Sequence, residues 1–519
     1  MRAKRGMAAA LAGALLLAVL AGCGGAQRAE SGSGEAADRP SAGQSAGPVK
    51  AVDTFTLAYN EADGLDPLSC TSPENQLIAQ LCFESLFVLD SEFQPQKVLC
   101  ESLEQTGIRE YTLTLRDGAL FHSGQEVTPE DVVFSLNSAR LRDDSIYQEQ
   151  LACISSVQYS DDEVYIRLYE ENSNLAARLN VPILRKGTDE ETCPDGSGPY
   201  QLVTSDGGQC LIPFEQWSSG KVGFCESISL TGVPDSDSAA NLLSSGELSL
   251  LMQTDAEQAP AQGASYTASV PTTRLHYLGV NCDLAPYDDE DVRTALSLLL
   301  DRDSIVQTCF SGRADAASLP LIPVPDSVEA PDYDRERALE LLEDAGIYDR
   351  DDDGFLDISR GRPFTVDIIY NETYSTKGAV LQQYAETLNE AGILAEVRAL
   401  PFEECRSMLR RESFQLYYGE YELTADFDLS SLISTSGTRN FSGYYDREME
   451  RALDGLRTYE EGEAEEAREE YAECFAEQTP VIPIAFERTL LCSTDALPEQ
   501  FDPWPGQIFH GIETWSAAE

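Results

Sequence analysis

Apolar and polar residues alternate singly in some stretches of this chain and recur every third or fourth position in others. Tyr111, Leu113 and Leu115 alternate with Thr112 and Thr114, the period of a strand with one buried face. Asp117-Gly118 and His122-Ser123-Gly124 follow as turn signals, because glycine takes the positive φ that a tight reversal needs. Thr128 then stands where an N-cap belongs, Pro129 at the first helical position and Asp131 where a capping box closes. Val132, Val133, Leu136 and Ala139 give that helix one apolar face. Val292, Ala295, Leu296, Leu299 and Leu300 repeat the helical spacing, as do Ala338, Leu341, Leu342 and Ala345, with Gly346 placed to end the helix.

Strands and helices alternate from residue 364: strand 364–370, helix 379–391, strand 393–399, helix 403–411, strand 414–418. Such alternation predicts a parallel sheet covered on both faces, with ligands gathering at the carboxyl ends of its strands. Helices over about 446–457 and 461–477 and a strand at 481–486 complete the pattern, and the first strand after the amino-terminal region runs from Phe55 to Tyr59.

The amino terminus reads differently. Arg2, Lys4 and Arg5 precede an apolar run from Met7 to Ala21, which describes a secretory signal of residues 1–22 and not a membrane span. Leu20-Ala21-Gly22-Cys23 resembles a bacterial lipobox, which implies lipidation of Cys23 and anchoring on the extracytoplasmic face, at the cell surface or in the periplasm. Residues 23–49 are Gly, Ser and Ala with scattered charge, too polar to fold, and read as a tether.

Composition narrows the function classes. From about residue 50 to 519 the chain is globular and too long for one core, so at least two lobes are expected. A formal charge of -54 excludes a nucleic-acid partner. Twelve cysteines follow Cys23 without a CxxC pair or metal-ligand spacing, so a zinc site is not expected, while an even count in an exported protein leaves some disulfides open. The three histidines, 122, 276 and 510, are far apart, and no Gly-x-Ser-x-Gly elbow, phosphate-binding glycine loop or HExxH occurs. An enzyme is not expected.

Two acidic stretches carry candidate chemistry. Residues 417–428 join aromatics to Glu420, Glu422, Asp426 and Asp428 just past a strand end; a buried ligand ammonium must meet a carboxylate, because an unpaired charge out of water is costly. The other reading of these acids is a solvated loop. Asp349, Asp351, Asp353 and Asp357, with Gly354, have calcium-loop spacing, but Arg360 stands where a bidentate Glu is wanted. A calcium site and a plain acidic turn both fit; no other cofactor is expected.

The stretch Leu115 to Ser135, Leu-Arg-Asp-Gly-Ala-Leu-Phe-His-Ser-Gly-Gln-Glu-Val-Thr-Pro-Glu-Asp-Val-Val-Phe-Ser, closely resembles the signature of the family 5 extracellular solute-binding proteins, with Pro129 in place of the usual Ala. Leu65-Asp66-Pro67, Gly196-Ser197-Gly198-Pro199-Tyr200, Ser245-Gly246-Glu247-Leu248, Tyr277 to Asn281 and Asp291 to Leu296 resemble further family segments, so the likeness spans essentially 50–519. It implies a two-lobed α/β periplasmic-binding-protein-like fold of type II, with mixed sheets covered by helices and an extra subdomain. Lobe I is expected at 50–275, with an insertion at about 87–190, lobe II at 276–479 and a return to lobe I at 480–519. The hinge is expected near 272–280 and 478–486.

The resemblance implies a monomeric receptor that captures short peptides and hands them to an ABC permease and its ATPase. A chelated metal such as nickel, a sugar, or a sensing role are the alternatives. It also implies a site. The loop after the first strand, with Tyr59 and Glu61, faces the cleft in relatives. Their amine-holding Asp falls near Leu423 here, so Glu420, Glu422 or Asp426 is expected to substitute, beside Tyr418 and Asp428. Arg439 and Asn440 lie in an Asn-x-Ser-Gly-Tyr segment beside the cleft; Arg439 suits either a ligand carboxylate or an inter-lobe salt bridge.

Overall fold

Two long strands, Tyr266–Val280 and Val481–Ser493, lie antiparallel and side by side. On one flank Val481–Ser493 pairs with Leu250–Gln253 and with Ala314–Ala316. On the other, Tyr266–Val280 pairs antiparallel with Leu416–Glu422, which continues into the parallel strands Thr365–Asn371 and Leu394–Leu400. The result is one seven-stranded mixed sheet. Its parallel half is the alternating region of the sequence, with helices Ser375–Glu390 and Phe402–Arg410 as the crossovers. In the antiparallel half each strand pairs with one more than a hundred residues away in the chain, a pairing that no local period encodes. The computed structural model describes residues 55–515, apart from 189–192, 206–207, 223, 257, 374, 461, 495–496 and 499; the expected signal peptide, the tether and Cys23 lie outside the described residues.

A second sheet joins Phe55–Asn60 parallel to Ile228–Val233 and continues through Gly208–Pro213 to Tyr200–Ser205. A third, wholly antiparallel, holds Cys100–Gly107, Glu110–Leu115, Glu163–Leu168 and Ile154–Ser160. Here Tyr111 and Leu113 point into the core while Thr112 and Thr114 are half-buried, as the alternation requires. Helix Pro129–Leu141 begins with the expected capping box: Asp131 Oδ2 accepts the Thr128 backbone N–H at 3.0 Å. Helix Glu290–Leu298 buries Val292, Ala295 and Leu296, and Leu299 and Leu300 extend the same apolar face past its end.

Three large apolar clusters fill the molecule. One joins the second and third sheets, from Phe55 and Leu113 to Trp515. Another lies under the parallel strands, around Val366, Ile368, Leu416 and Ile482. A third packs Leu89, Phe93 and Ala177 against Tyr421, Phe427 and Phe486, so it ties the early part of the chain to the loop after Leu416–Glu422. No disulfide joins the twelve described cysteines; burial instead pushes the Cys70 and Cys100 thiols up to about 12, which keeps them protonated and unreactive. Among the described residues no helix is long and apolar enough to cross a membrane.

Candidate functional site

The central sheet presents a charged ladder. Tyr266–Val280 and Leu416–Glu422 are in register so that Arg274 faces Glu422, His276 faces Glu420 and Leu278 faces Tyr418. All six lie on one face, because side chains alternate along a strand. The register is locked from the opposite face, where Tyr277 stands across from Gly419 and Tyr417 across from Gly279. A Cβ on Gly279 would come within 2.0 Å of the Tyr417 ring, and one on Gly419 within 2.4 Å of the Tyr277 ring. Each tyrosine therefore lies over the glycine of the partner strand, and the two hydroxyls meet at 3.3 Å. Register shifts in the pairing with Val481–Ser493, between Pro271 and Leu275 and again between His276 and Tyr277, add local twist beside the ladder.

A cavity of about 170 Å³ opens on the charged face, lined by Arg274, His276, Lys377, Glu420 and Glu487 with Asp255. His276 is buried. Its Nε2 is 2.7 Å from Glu487 Oε1 and its Nδ1 is 2.8 Å from the Tyr418 hydroxyl. An Nε2–H donating to Glu487, with Nδ1 accepting from Tyr418, satisfies both contacts with a neutral ring. Lys377 Nζ lies 2.9 Å from Glu420 Oε2, and Arg274 reaches Glu422 at 3.1 Å and Glu487 at 3.7 Å. Burial works to lower the Arg274 pKa, but Glu422, Glu487 and Glu420 outweigh it and hold the guanidinium charged. Three glutamates thus share two cations, and the site can meet both an ammonium and a carboxylate.

A larger cavity, about 530 Å³, lies on the other side of the Arg274–Glu422 pair: Glu422 lines it, with Phe83, Glu84, Tyr147, Trp217 and Trp504. Glu84 is buried and its Oε1 accepts the Trp217 indole N–H at 2.9 Å. Burial raises its pKa against the pull of Trp217, Arg116, Ser197 and Ser219. The pocket combines flat apolar walls with a few polar groups, the composition typical of small-solute sites.

The remaining residues expected in the site are dispersed. Asp426 is buried, its Oδ2 2.7 Å from Arg178 Nη2, with Asn172 also at 3.5 Å. Asp428 lies 3.6 Å from the same guanidinium and accepts the Ser430 backbone N–H at 2.9 Å. Both acids bind the loop 423–430 to the segment around Arg178, and neither lines the two cavities above. Arg439 stacks over the Tyr421 ring at 4.8 Å and reaches Glu149 at 3.5 Å, while Tyr421 donates to the same glutamate at 2.9 Å. That is a salt bridge between the segment around Glu149 and the second half of the chain. Asn440 donates to the carbonyls of Ser434 and Tyr444 and holds its own loop. Tyr59 is half-buried opposite Gly232 in the second sheet, and the exposed Glu61 lies over that glycine.

His276, Lys377, Arg274 and Glu487 were not legible as site residues. They come from two strands and a helix, and meet Glu420 of a third strand only through sheet register; the local hint was a charge within an apolar run, as in Ile-Ala-Phe-Glu487-Arg. One ligand atom each of His276, Glu420 and Glu487 lie within 4.8 Å of one another, a donor set suited to a borderline divalent cation. Lys377 holds Oε2 of Glu420 at 2.9 Å, while Oε1 lies 3.6 Å from His276 Nδ1.

The model of the bacterial extracellular solute-binding proteins, family 5 Middle, matches residues 94–444. A glutathione-binding protein of Salmonella typhi is 26% identical over 475 residues, covering 85% of this chain and 90% of that protein. An oligopeptide-binding protein of Bacillus subtilis is 25% identical over 391 residues, 70% of this chain and 72% of the relative. The crystal structure of a nickel ABC transporter from Bacillus halodurans superimposes with a TM-score of 0.74 at 22% identity, over 88% of this chain and 98% of that one.

Proposed function

Because the chain belongs to the bacterial extracellular solute-binding proteins of family 5, the substrate-binding components of ABC importers, we propose that its solute is a short peptide held across the Arg274–Glu422 pair. The single observation that carries this reading is the small cavity at the strand crossings, which offers fixed charges of both signs and so suits the oppositely charged termini of a short peptide. The ammonium goes to Glu420 and Glu487, the carboxylate to Lys377 and Arg274. Peptide side chains extend into the larger cavity with its aromatic walls. Curated relatives that bind glutathione and oligopeptides support the same ligand class.

The work is binding, not bond-making. Lobe I is proposed at 50–275 with its insertion at about 87–190, lobe II at 276–479, and the return at 480–519. Bending is proposed where Tyr266–Val280 and Val481–Ser493 carry the chain between lobes, near 272–280 and 478–486. Ligand shifts the population toward the closed form by no more than its preference for that form. Lipidation of Cys23 anchors the monomeric receptor outside the membrane, beside its permease and ATPase; a Cys23→Ala chain is expected in the medium or periplasm instead of the membrane fraction.

A thermal-shift screen of the chain without its leader, against mixed di- and tripeptides and reduced glutathione, tests the ligand class. A rise in melting temperature that scales with peptide concentration is expected; no response to any peptide at millimolar concentration overturns it. The His276, Glu420 and Glu487 donors favour one second reading, a chelated metal, and nickel with histidine in the same screen separates the two.

A further inference from the structure

The acidic turn at 349–357 closes on itself: Asp349 accepts the backbone N–H groups of Asp352 and Gly354, and Asp353 that of Phe355. The larger cavity, of about 530 Å³, has polar atoms on its lining residues that the fold leaves unmet. Glu84 and Arg116 both line it. Glu84 is only 7% exposed. Its Oε1 accepts the Trp217 indole N–H at 2.9 Å, but its Oε2 is buried with no hydrogen-bond partner among the described residues. Arg116 donates from Nη2 to the Ser218 hydroxyl at 2.7 Å and from both Nη atoms to Ser219 at 3.2 Å, while its Nε is likewise buried without a partner. Ser197 Oγ, near enough to act on the Glu84 charge, makes no hydrogen bond either. An unmet acceptor and an unmet donor therefore stand on neighbouring side chains, whose nearest charged atoms are 3.8 Å apart.

Such atoms are costly to bury unless a partner arrives, and the charges around them narrow its chemistry. A ligand ammonium or guanidinium would suit Glu84 but be driven against Arg116; a ligand carboxylate would suit Arg116 but be driven against Glu84. A neutral group that both donates and accepts satisfies the two together. The backbone peptide unit is such a group, but being trans it points its N–H and C=O in opposite directions. A primary carboxamide carries an N–H and a C=O on one edge of one plane, so it can meet Glu84 and Arg116 at once. The walls suit a flat group: the Trp504 and His510 rings stack at 3.4 Å, 13° from parallel, and line the cavity together with Trp217.

We propose that the larger cavity is a selective subsite for a glutamine or asparagine side chain, its carboxamide N–H donating to Glu84 Oε2 and its C=O accepting from Arg116 Nε. This assignment rests on the peptide reading of the crossing cavity and names a residue that the peptide carries. Glu422 lines the larger cavity, Arg274 lines the smaller, and the two meet at 3.1 Å. Charged termini at the crossing and a side chain among the tryptophans therefore belong to one bound molecule. Glu84 and Arg116 determine specificity; they do not hold the peptide termini.

Calorimetry on the full chain without its leader tests the subsite with matched peptides: Gln-Ala, Ala-Gln and Ala-Gln-Ala against the same peptides with Met, Glu or Lys in place of Gln. At one position Gln is expected to bind at least about tenfold tighter than Met, which has similar length but no hydrogen-bonding head, because hydrogen bonds to two charged groups are lost together. Glu and Lys are expected to bind more weakly than Gln there. Arg116→Met should cut the preference for Gln over Met to about threefold or less. If peptides bind but Gln is no better than Met at any position, the subsite falls and the peptide reading stands. A preference for Lys or Glu, or a Gln preference that survives Arg116→Met, overturns the subsite in the same way. No binding of any peptide overturns the peptide reading itself, and the subsite with it.

Discussion

Glu420 and Asp426 lie within one short stretch of chain, carry the same charge and looked interchangeable as partners for a ligand ammonium, yet their surroundings are opposite. Glu420 stands on a strand at the wall of a cavity, its side chain 30% exposed and shared between Lys377 and His276. Asp426 lies beyond the strand end with its side chain 0% exposed, and Arg178, from a segment some 250 residues earlier, has taken its charge. A carboxylate near a cleft is available only if the fold has not already assigned it a cation. Both cations are buried, Lys377 with its side chain 8% exposed and Arg178 7%, but Glu420 keeps a side on the cavity that a ligand can reach, whereas Asp426 is sealed in the interior.

The largest effect should come from breaking the sealed pair. Asp426→Asn leaves the buried Arg178 guanidinium with only the more distant Asp428, at 3.6 Å, and is expected to cost about 3 kcal/mol in chemical unfolding, the low end of the range for a broken buried pair. Replacing both partners, as Arg178→Met with Asp426→Leu, should recover much of that loss. If Asp426→Asn instead leaves stability intact and abolishes ligand binding, the contrast drawn between the two acids collapses.

A smaller effect is expected at the open pair. Glu420→Gln keeps an acceptor for Lys377 but removes the charge that meets an ammonium, and should weaken peptide binding by about 1–3 kcal/mol, read by calorimetry. The unfolding midpoint should move far less than in Asp426→Asn. An unchanged affinity would move the ammonium subsite away from Glu420.

Thr128→Ala sharpens the comparison with an acid whose partners are only backbone and hydroxyl groups. Asp131 closes a capping box with Thr128, and loss of that cap should cost about 1 kcal/mol in unfolding experiments without touching affinity.

The finest test is one of pH. Glu84 is buried with a raised pKa, so the stability it contributes is present below its ordinary value of 4.5 and is lost as pH rises through the raised one. Glu84→Gln does not titrate. It should therefore melt at a higher temperature than wild type near neutral pH, with the difference closing as pH falls toward 4.5. A difference that grows on acidification would show that Glu84 is held ionised.

Much of the fold was legible before any coordinates. The strand at Tyr111, the Thr128–Asp131 box, the buried face from Val292 to Leu300 and the strand–helix alternation after residue 364 are all written in spacings of a few residues, and short-range sterics and hydrogen bonding act over that same distance. The charged ladder was half legible: Tyr418, Glu420 and Glu422 stand out as acids and an aromatic at a strand end, whereas His276 is one of three scattered histidines and Lys377 precedes the helix expected at 379–391. Their meeting depends on the register of Tyr266–Val280 against Leu416–Glu422, which the interlocked Tyr277–Gly419 and Tyr417–Gly279 pairs fix across more than a hundred residues of intervening chain.

By itself, then, the sequence determined the elements, their caps, the family likeness and the calcium-loop spacing, because each is a pattern within a single segment. Only the tertiary structure decided which carboxylates keep a free side, since that depends on which cation the folded chain brings within about 3 Å, where a charge-assisted contact outweighs solvent. Arg178 reached Asp426 and sealed it, while Lys377 reached Glu420 and left it a side on the cavity.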